Sequence, residues 1–311
     1  MFIYFSIALL VQIVNLVLLV MRIRNYFGFL GFILICFSTG YAQSTDVLRL
    51  EYTAMPKNAI KAGIDRIKLV LNAPIKIAED SYFILGAEYH GINNHISEEL
   101  PFSTSSIEKL YLVKMNLGYT TLLKNNWRAV GIVTPLLASN FTNGIQNNDF
   151  RYNLTGIVLK DEMKTDKKYR LILGFSFNRT VGLPIPLPII SYEKQFADKW
   201  SYTLGIPRAN FKHLFSAKSS LQLALLLDGY FINIQNDIAL PTNEIASDVA
   251  FSGIVGTLGY EYKIIDKVTF FTFAGSTVWQ KNVLKDGSSN DIYAINNRPG
   301  LYVKTGVRIG L

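Results

Sequence analysis

The 311-residue sequence predicts an all-β protein, an antiparallel up-and-down transmembrane β-barrel preceded by an N-terminal signal segment. Three observations predict it. Apolar and polar residues alternate with a period of two over most of the chain, an export signal stands near the N-terminus, and no later stretch approaches the roughly 18 uninterrupted apolar residues of a spanning helix.

Met1 to Val20 are apolar apart from Ser6, Gln12 and Asn15, long enough on length alone to cross a membrane as a helix. A second apolar run follows at once. Met21-Arg22-Ile23-Arg24-Asn25 is a basic lead, Tyr26 to Phe37 an apolar centre, and Ser38 to Ala42 a tail with small residues where a signal peptidase needs them. This is a complete secretory signal beginning at Met21, with cleavage expected between Ala42 and Gln43. The expected organisation is therefore an upstream apolar segment plus signal peptide over residues 1–42, with translation starting at Met21, and an outer-membrane β-barrel over 43–311. The single cysteine, Cys36, lies inside the signal, so the mature chain is expected to hold neither a disulfide nor a Cys-ligated metal.

The strands follow as alternating stretches. Leu48, Leu50, Tyr52 and Ala54 oppose Arg49, Glu51 and Thr53. Ile67, Leu69, Leu71, Ala73 and Ile75 oppose Arg66, Lys68, Val70, Asn72 and Lys76. Phe83, Leu85, Ala87 and Tyr89 oppose Ile84, Gly86, Glu88 and His90. Tyr111, Val113, Met115, Leu117 and Tyr119 oppose Lys114, Asn116, Gly118 and Thr120. Leu221, Leu223, Leu225, Leu227 and Phe231 oppose Gln222, Ala224, Leu226, Asp228 and Tyr230. In the last stretch Leu301, Val303, Val307, Ile309 and Leu311 share one side, and Tyr302, Lys304, Gly306, Arg308 and Gly310 the other. One face suits lipid and the other a polar interior, and this strand is expected to close the barrel against Leu48 to Ala54.

Six short polar turns of one style stand at residues 77–81, 123–127, 163–167, 196–200, 215–219 and 264–268, and longer variable segments separate them. Short turns at the periplasmic end and longer loops outside is the arrangement of outer-membrane barrels. Both termini at one end require an even strand number. The arms Trp200 to Gly205 and Phe211 to Phe215 are shorter than the roughly 9–11 residues of a tilted spanning strand, so 12 spanning strands are expected, with 14 as the alternative. Alternating prolines in Gly182 to Pro188 cannot donate to a ladder, and this piece is expected to leave the wall as a rigid loop or as a gate. Trp127, Tyr192, Phe196, Trp200, Phe211, Phe215, Tyr260 and Tyr262 all neighbour the turns, as a headgroup-level girdle would.

Net charge is +8, but Lys and Arg are spread singly with no run of five, which speaks against a nucleic-acid partner. His90, His95 and His213 are too scattered for a metal site by spacing, and no phosphate-binding loop, dinucleotide fingerprint or zinc-protease helix is present. His90 with Glu88 and a serine would be the ingredients of a lipid hydrolase, a combination that any chain this long offers. The expectation is a non-enzymatic protein without cofactor. The inward set is the informative one: Arg49, Glu51, Arg66, Lys68, Glu88, Lys114, Arg170, Asp228, Glu261, Lys304 and Arg308. These lumen-lining residues either pair into salt bridges that fill a closed interior or line a water-filled path with mild anion preference.

The signal ending Tyr41-Ala42-Gln43, the segment from Gly182 to Pro188 followed by Tyr192 and Phe196-Ala197-Asp198-Lys199-Trp200, then Gly205-Ile206-Pro207 and Phe215 to Leu221, carry a resemblance. On them the chain resembles an uncharacterised Gram-negative outer-membrane β-barrel family, a domain of unknown function, across essentially the whole mature chain. The resemblance implies the cell outer membrane as location, with outer-membrane lipid and the barrel-assembly machinery as partners, and brings no catalytic residues. The leading functional expectation is a passive channel or small-solute transporter. A closed structural or surface-interaction barrel is the alternative, and a barrel-embedded lipid hydrolase the third.

Overall fold

The structure is a computed structural model that describes residues 46–57, 62–96, 100–163, 165–177 and 186–310. The upstream segment, the signal peptide with Cys36, Gly182 to Ile185 and the terminal Leu311 lie outside the described residues. Fifteen strands form one antiparallel sheet that closes on itself. In chain order they are β1 (Leu48–Met55), β2 (Ala62–Ala78), β3 (Ser81–Ile96), β4 (Lys109–Leu122), β5 (Trp127–Ser139), β6 (Phe150–Asp161), β7 (Tyr169–Phe177), β8 (Pro186–Ala197), β9 (Trp200–Ile206), β10 (Arg208–Leu214), β11 (Ser219–Ala239), β12 (Ile245–Ile265), β13 (Val268–Lys285), β14 (Asp291–Asn296) and β15 (Leu301–Ile309). A single helical turn, α1 (Ser105–Glu108), precedes β4.

Each wall strand pairs with its sequence neighbours, and β15 closes the ring against β1 with Leu48 opposite Ile309 and Ala54 opposite Val303. The terminal strand thus meets the partner its alternation predicts. β14 pairs only with β13, beyond the point where β13 leaves β15, so the wall has fourteen strands and not twelve. The short arms β9 and β10 are full members. β9 pairs with β8 and β10, and β10 pairs with β11 from Leu214–Ser220 to Arg208–Leu226. Length was the wrong criterion there, because a seven-residue strand flanked on both sides has its backbone groups satisfied without spanning the full height of its neighbours.

A second correction concerns the prolines. Pro186 and Pro188 do not leave the wall; they pair with Phe177 and Phe175 of β7 at the start of β8. Pairing between β8 and β9 begins only at Ile190–Ile206, so the prolines sit where β8 outruns its other neighbour and no ladder donor is needed on that side. A third concerns the longer variable segment expected between the turns at 215–219 and 264–268, over residues 233–248. Much of it is strand and not loop: β11 continues to Ala239 and β12 starts at Ile245, forming a tall hairpin of two 21-residue strands.

That hairpin governs the interior. β10 ends against Leu226, and beyond it β11 crosses to β5, where Asn233 stands beside Ser139 in a short parallel contact. The loop half of the barrel is thereby packed shut by an apolar core that includes Leu110, Leu112, Ala138, Ile232, Val249 and Tyr302. Phe231, in line with the outward-facing leucines of β11, is buried instead of exposed, because the tilted hairpin turns that face toward β6 and Arg151 covers the ring at 4.6 Å. Around the outside, Ile67, Leu71, Val113, Met115, Phe175, Leu204, Leu223 and Leu258 are among the exposed apolar side chains that alternate with buried or half-buried ones.

Candidate functional site: the barrel interior

Alternation sends one residue in two inward, and the register brings those from distant strands together. Below the apolar core, Arg66 Nη2 on β2 donates to Asp228 Oδ2 on β11 at 2.6 Å, and the Tyr302 hydroxyl on β15 donates to the same oxygen at 2.8 Å. Glu88 on β3 gathers three partners on one oxygen: His90 Nε2 at 2.5 Å, Lys114 Nζ at 3.1 Å and Lys68 Nζ at 3.2 Å. Glu51 stands 3.9 Å from both Lys68 and Arg49. Nearer the turns, Glu261 is held between Lys212 at 2.6 Å and Arg308 at 3.1 Å, and Arg170 bridges Asp161 at 2.8 Å and Glu193 at 3.6 Å.

Among the described residues, ten of the eleven positions that the sequence leads one to expect inward stand in ion pairs. The exception is Lys304, whose ammonium lies 5.6 Å from the Tyr302 ring. Buried pairs of this kind are held by mutual attraction that must offset the loss of water, so each carboxylate with several donors is better compensated than one with a single partner. Glu88 has three such partners, and so has Asp228, whose Oδ1 also accepts from the backbone N–H of Gly229 at 2.9 Å. Beside Glu88, His90 points Nε2 at the Glu88 carboxylate and leaves Nδ1 without a hydrogen-bond partner among the described residues. A hydrolytic dyad needs the second ring nitrogen on a hydroxyl. His90 has none there, and Glu88 is committed to two lysines.

Several interior residues escaped the sequence reading. Arg208 and Lys212 lie on β10, which was discounted as too short, although the alternation from Trp200 onward already places Lys212 with the polar set. Arg151 and Asp248, paired at 2.5 Å, sit on segments that carry no interior signal until the β11–β12 hairpin is seen to lean inward. At the loop end the same lean buries an amide and carboxylate network: Asn233 Nδ2 and Gln235 Nε2 donate to Asp149 at 2.9 and 2.8 Å, and the backbone N–H of Gln235 donates to Asn140 Oδ1 at 3.1 Å. This network ties β11 to the β5–β6 loop and caps the apolar core.

Toward the turns the packing opens. Arg49, Arg170, Lys212 and Arg308 keep roughly a third of their side-chain surface. A small cavity of about 100 Å³ is lined by Arg49, Glu51, Arg208, Lys304, Arg308 and the rings of Phe271, Phe273 and Tyr302, with Leu226 above. The interior is thus a chamber at the turn end, a belt of ion pairs at mid-height and an apolar plug at the loop end.

A family model described as a domain of unknown function (DUF6268) matches residues 63–310. No curated protein matches the chain. Among solved structures, the fold is similar to the COG4313 outer membrane channel from Pseudomonas putida F1, at 8% identity over 88% of this chain and 100% of that chain, with a TM-score of 0.42. It is also similar to the KdgM porin, at 8% identity over 85% and 99% of the two chains with a TM-score of 0.34, and to LpxR from Salmonella typhimurium, at 9% over 85% and 100% with a TM-score of 0.34.

Proposed function

The chain belongs to the family described as a domain of unknown function (DUF6268), and from that membership and the interior geometry we propose that it is an outer-membrane barrel that handles small solutes as a gated transporter and not as an open pore. The turns lie in the periplasm in this reading, and the loops outside. One observation carries it: Leu112, Ile232, Val249 and Tyr302, from four different strands, are each fully buried in the loop half, whereas toward the turns Arg49, Arg170, Lys212 and Arg308 keep roughly a third of their side-chain surface. Solute passage needs the β11–β12 hairpin to move.

Purified protein in a planar lipid bilayer tests this. Wild-type protein gives no steady ohmic steps over many insertions, and Ile232→Ser/Ile234→Ser, which loosens the plug, gives discrete conductance. A steady wild-type pore would overturn the gate. A folded double variant that stays silent would overturn transport and leave a closed structural barrel.

A further inference from the structure

In the turn half the inward residues form two unlike faces, of which the cationic one lines the small cavity. On β3 and β5 to β8 the inward positions include Ile84, Val130, Ile132, Ile157, Leu159, Ile172 and Ile189, all half-buried. Gly118 and Gly174 stand among them and leave room for the branched side chains. A Cβ on Gly118 would lie 3.2 Å from Ile84 and 3.4 Å from Ile132, and one on Gly174 would lie 2.6 Å from Ile157 Cγ2. Aliphatic side chains left half-exposed inside a barrel, when the loop half packs its own fully, form a surface awaiting an apolar occupant.

Round the ring from them, on β1, β10, β11, β13 and β15, the wall is cationic. Four cations, Arg49, Arg208, Lys304 and Arg308, line the small cavity with one carboxylate, Glu51. Arg49 and Arg308 share Asp46, and each has a carboxylate of its own, Glu51 for Arg49 and Glu261 for Arg308. Arg208 and Lys304 have no carboxylate within 4 Å among the described residues; Arg208 instead donates to Gln222 Oε1 at 2.6 Å. Gln222 is itself 2% exposed, and its Nε2 has no hydrogen-bond partner among the described residues. Two cations outside any ion pair within 4 Å, one of them hydrogen-bonded to a buried amide whose donor is orphaned, are the complement of an anionic headgroup.

The cations are held in place by a specific arrangement. Phe271 and Phe273 point inward and lie flat where Gly306 and Gly259 replace a side chain. A Cβ on Gly306 would lie 2.7 Å from the Phe271 ring, and one on Gly259 would lie 2.2 Å from the Phe273 ring. The guanidinium of Arg308 lies 6.0 Å from the Phe271 centroid, and that of Arg208 lies 5.9 Å from the Phe273 centroid. Ring faces attract cations and hold them at a fixed height without neutralising them.

We propose that the turn-end chamber binds an amphiphilic carboxylate, with the headgroup at Arg208, Lys304 and Gln222 and the hydrocarbon along the aliphatic wall. The inference deepens the transport reading and rests on the chamber being open at its turn end. Ligand binding reads the chamber and conductance reads the plug, so the two fail separately.

The test uses the protein in nanodiscs, titrated with decanoate carrying ¹³C at the carboxyl, with empty nanodiscs as reference. A protein-specific carboxyl resonance is expected, and Arg208→Gln/Lys304→Gln weakens its binding at least tenfold. Neither side chain is in an ion pair within 4 Å, and Glu51 and Asp228 keep Arg49, Lys68 and Arg66, so this variant is expected to keep the heat-modifiable gel mobility of the folded barrel. Should it not, Ile157→Asn/Ile172→Asn reads the opposite wall and is expected to weaken decanoate tenfold while leaving acetate unchanged. Acetate, the same headgroup without a chain, binds at least tenfold more weakly than decanoate. The absence of a protein-specific resonance, binding indifferent to the folded variants, or acetate binding as tightly as decanoate would each overturn the proposal.

Discussion

Arg66 and Asp228 meet at 2.6 Å across the interior although β12, β13, β15 and β1 intervene between their strands. With Tyr302 on the same carboxylate oxygen, the pair stitches the tall β11–β12 hairpin to the far wall. Asp228→Ala strands the Arg66 guanidinium and the Tyr302 hydroxyl in a buried site, and folding stability drops by about 3–5 kcal/mol. Arg66→Met/Asp228→Leu, which removes both charges, costs clearly less than Asp228→Ala. Urea unfolding of the barrel in liposomes, followed by gel mobility, measures both. Equal losses would mean that the pair itself, and not the stranded charge, dominates.

Gly205 at the end of β9 has φ of +154°. A Cβ there would lie 1.9 Å from the carbonyl oxygen of Ile190, and backbone cannot yield as a flexible side chain would. Gly205→Ala therefore reduces the yield of heat-modifiable barrel on refolding, whereas Gly131→Ala, whose Cβ meets nothing within 4 Å, leaves it unchanged.

An unbroken chain of rings runs along β7 to β10 and the following turn: Tyr169, Tyr192, Tyr202, Phe196, Phe211, Trp200, His213 and Phe215, with neighbouring centroids 4.0 to 6.3 Å apart. Phe211→Ala removes the contacts with Phe196 and Trp200 and lowers stability by about 1–3 kcal/mol. In a variant that keeps only Trp200, lipids brominated near the headgroup quench its fluorescence more strongly than lipids brominated at the chain ends. The reverse order would remove this belt from the interface.

The loop after β13 loosens in acid. Asp291 accepts from Lys281, and from Lys285 at 2.5 Å. Burial pushes its carboxyl up, but the two ammonium donors outweigh burial and hold it below the ordinary 3.8. Asp286 is also held below 3.8, by the Asn290 side chain first and then by backbone N–H donors. A carboxylate with a depressed folded value contributes stability that is present above the unfolded value and lost as pH falls through the folded one. Hydrogen exchange over residues 285–296, corrected for intrinsic rates, is therefore slower relative to the rest of the barrel at pH 6 than at pH 3, and Asn290→Ala narrows the difference.

Much of the wall is legible in the amino-acid order because the outer and inner faces of the sheet impose opposite demands on adjacent residues. Leu48 to Ala54 and Leu301 to Ile309 show it, and they pair in the structure as their alternation requires. All six turns stand where polar residues interrupt that alternation. Strand number was not legible, because β9 and β10 are short on any count of residues and only their neighbours make them wall. Nor was the plug. Tyr230, Ile232 and Ile234 alternate as any strand does, and whether a row of apolar residues faces lipid or a partner depends on the lean of β11 toward Ser139. Arg151 and Asp248 remained hidden for the same reason, since their contact joins residues 97 apart in sequence.

The single residue Pro207 joins two strands of seven residues, while the next two strands run to 21 each. At about 3.4 Å per residue and a tilt near 40°, seven residues rise only about 18 Å, against an apolar band of about 25 Å on such barrels. A bilayer around this wall would pinch beside β9 and β10 by several ångströms, at a fraction of a kcal/mol per ångström. A protein that deforms its membrane on one flank has a preferred side for company. In a bilayer, short-tailed or disordered lipids would gather there, and two such barrels would reduce their shared deformation by turning their low flanks toward each other.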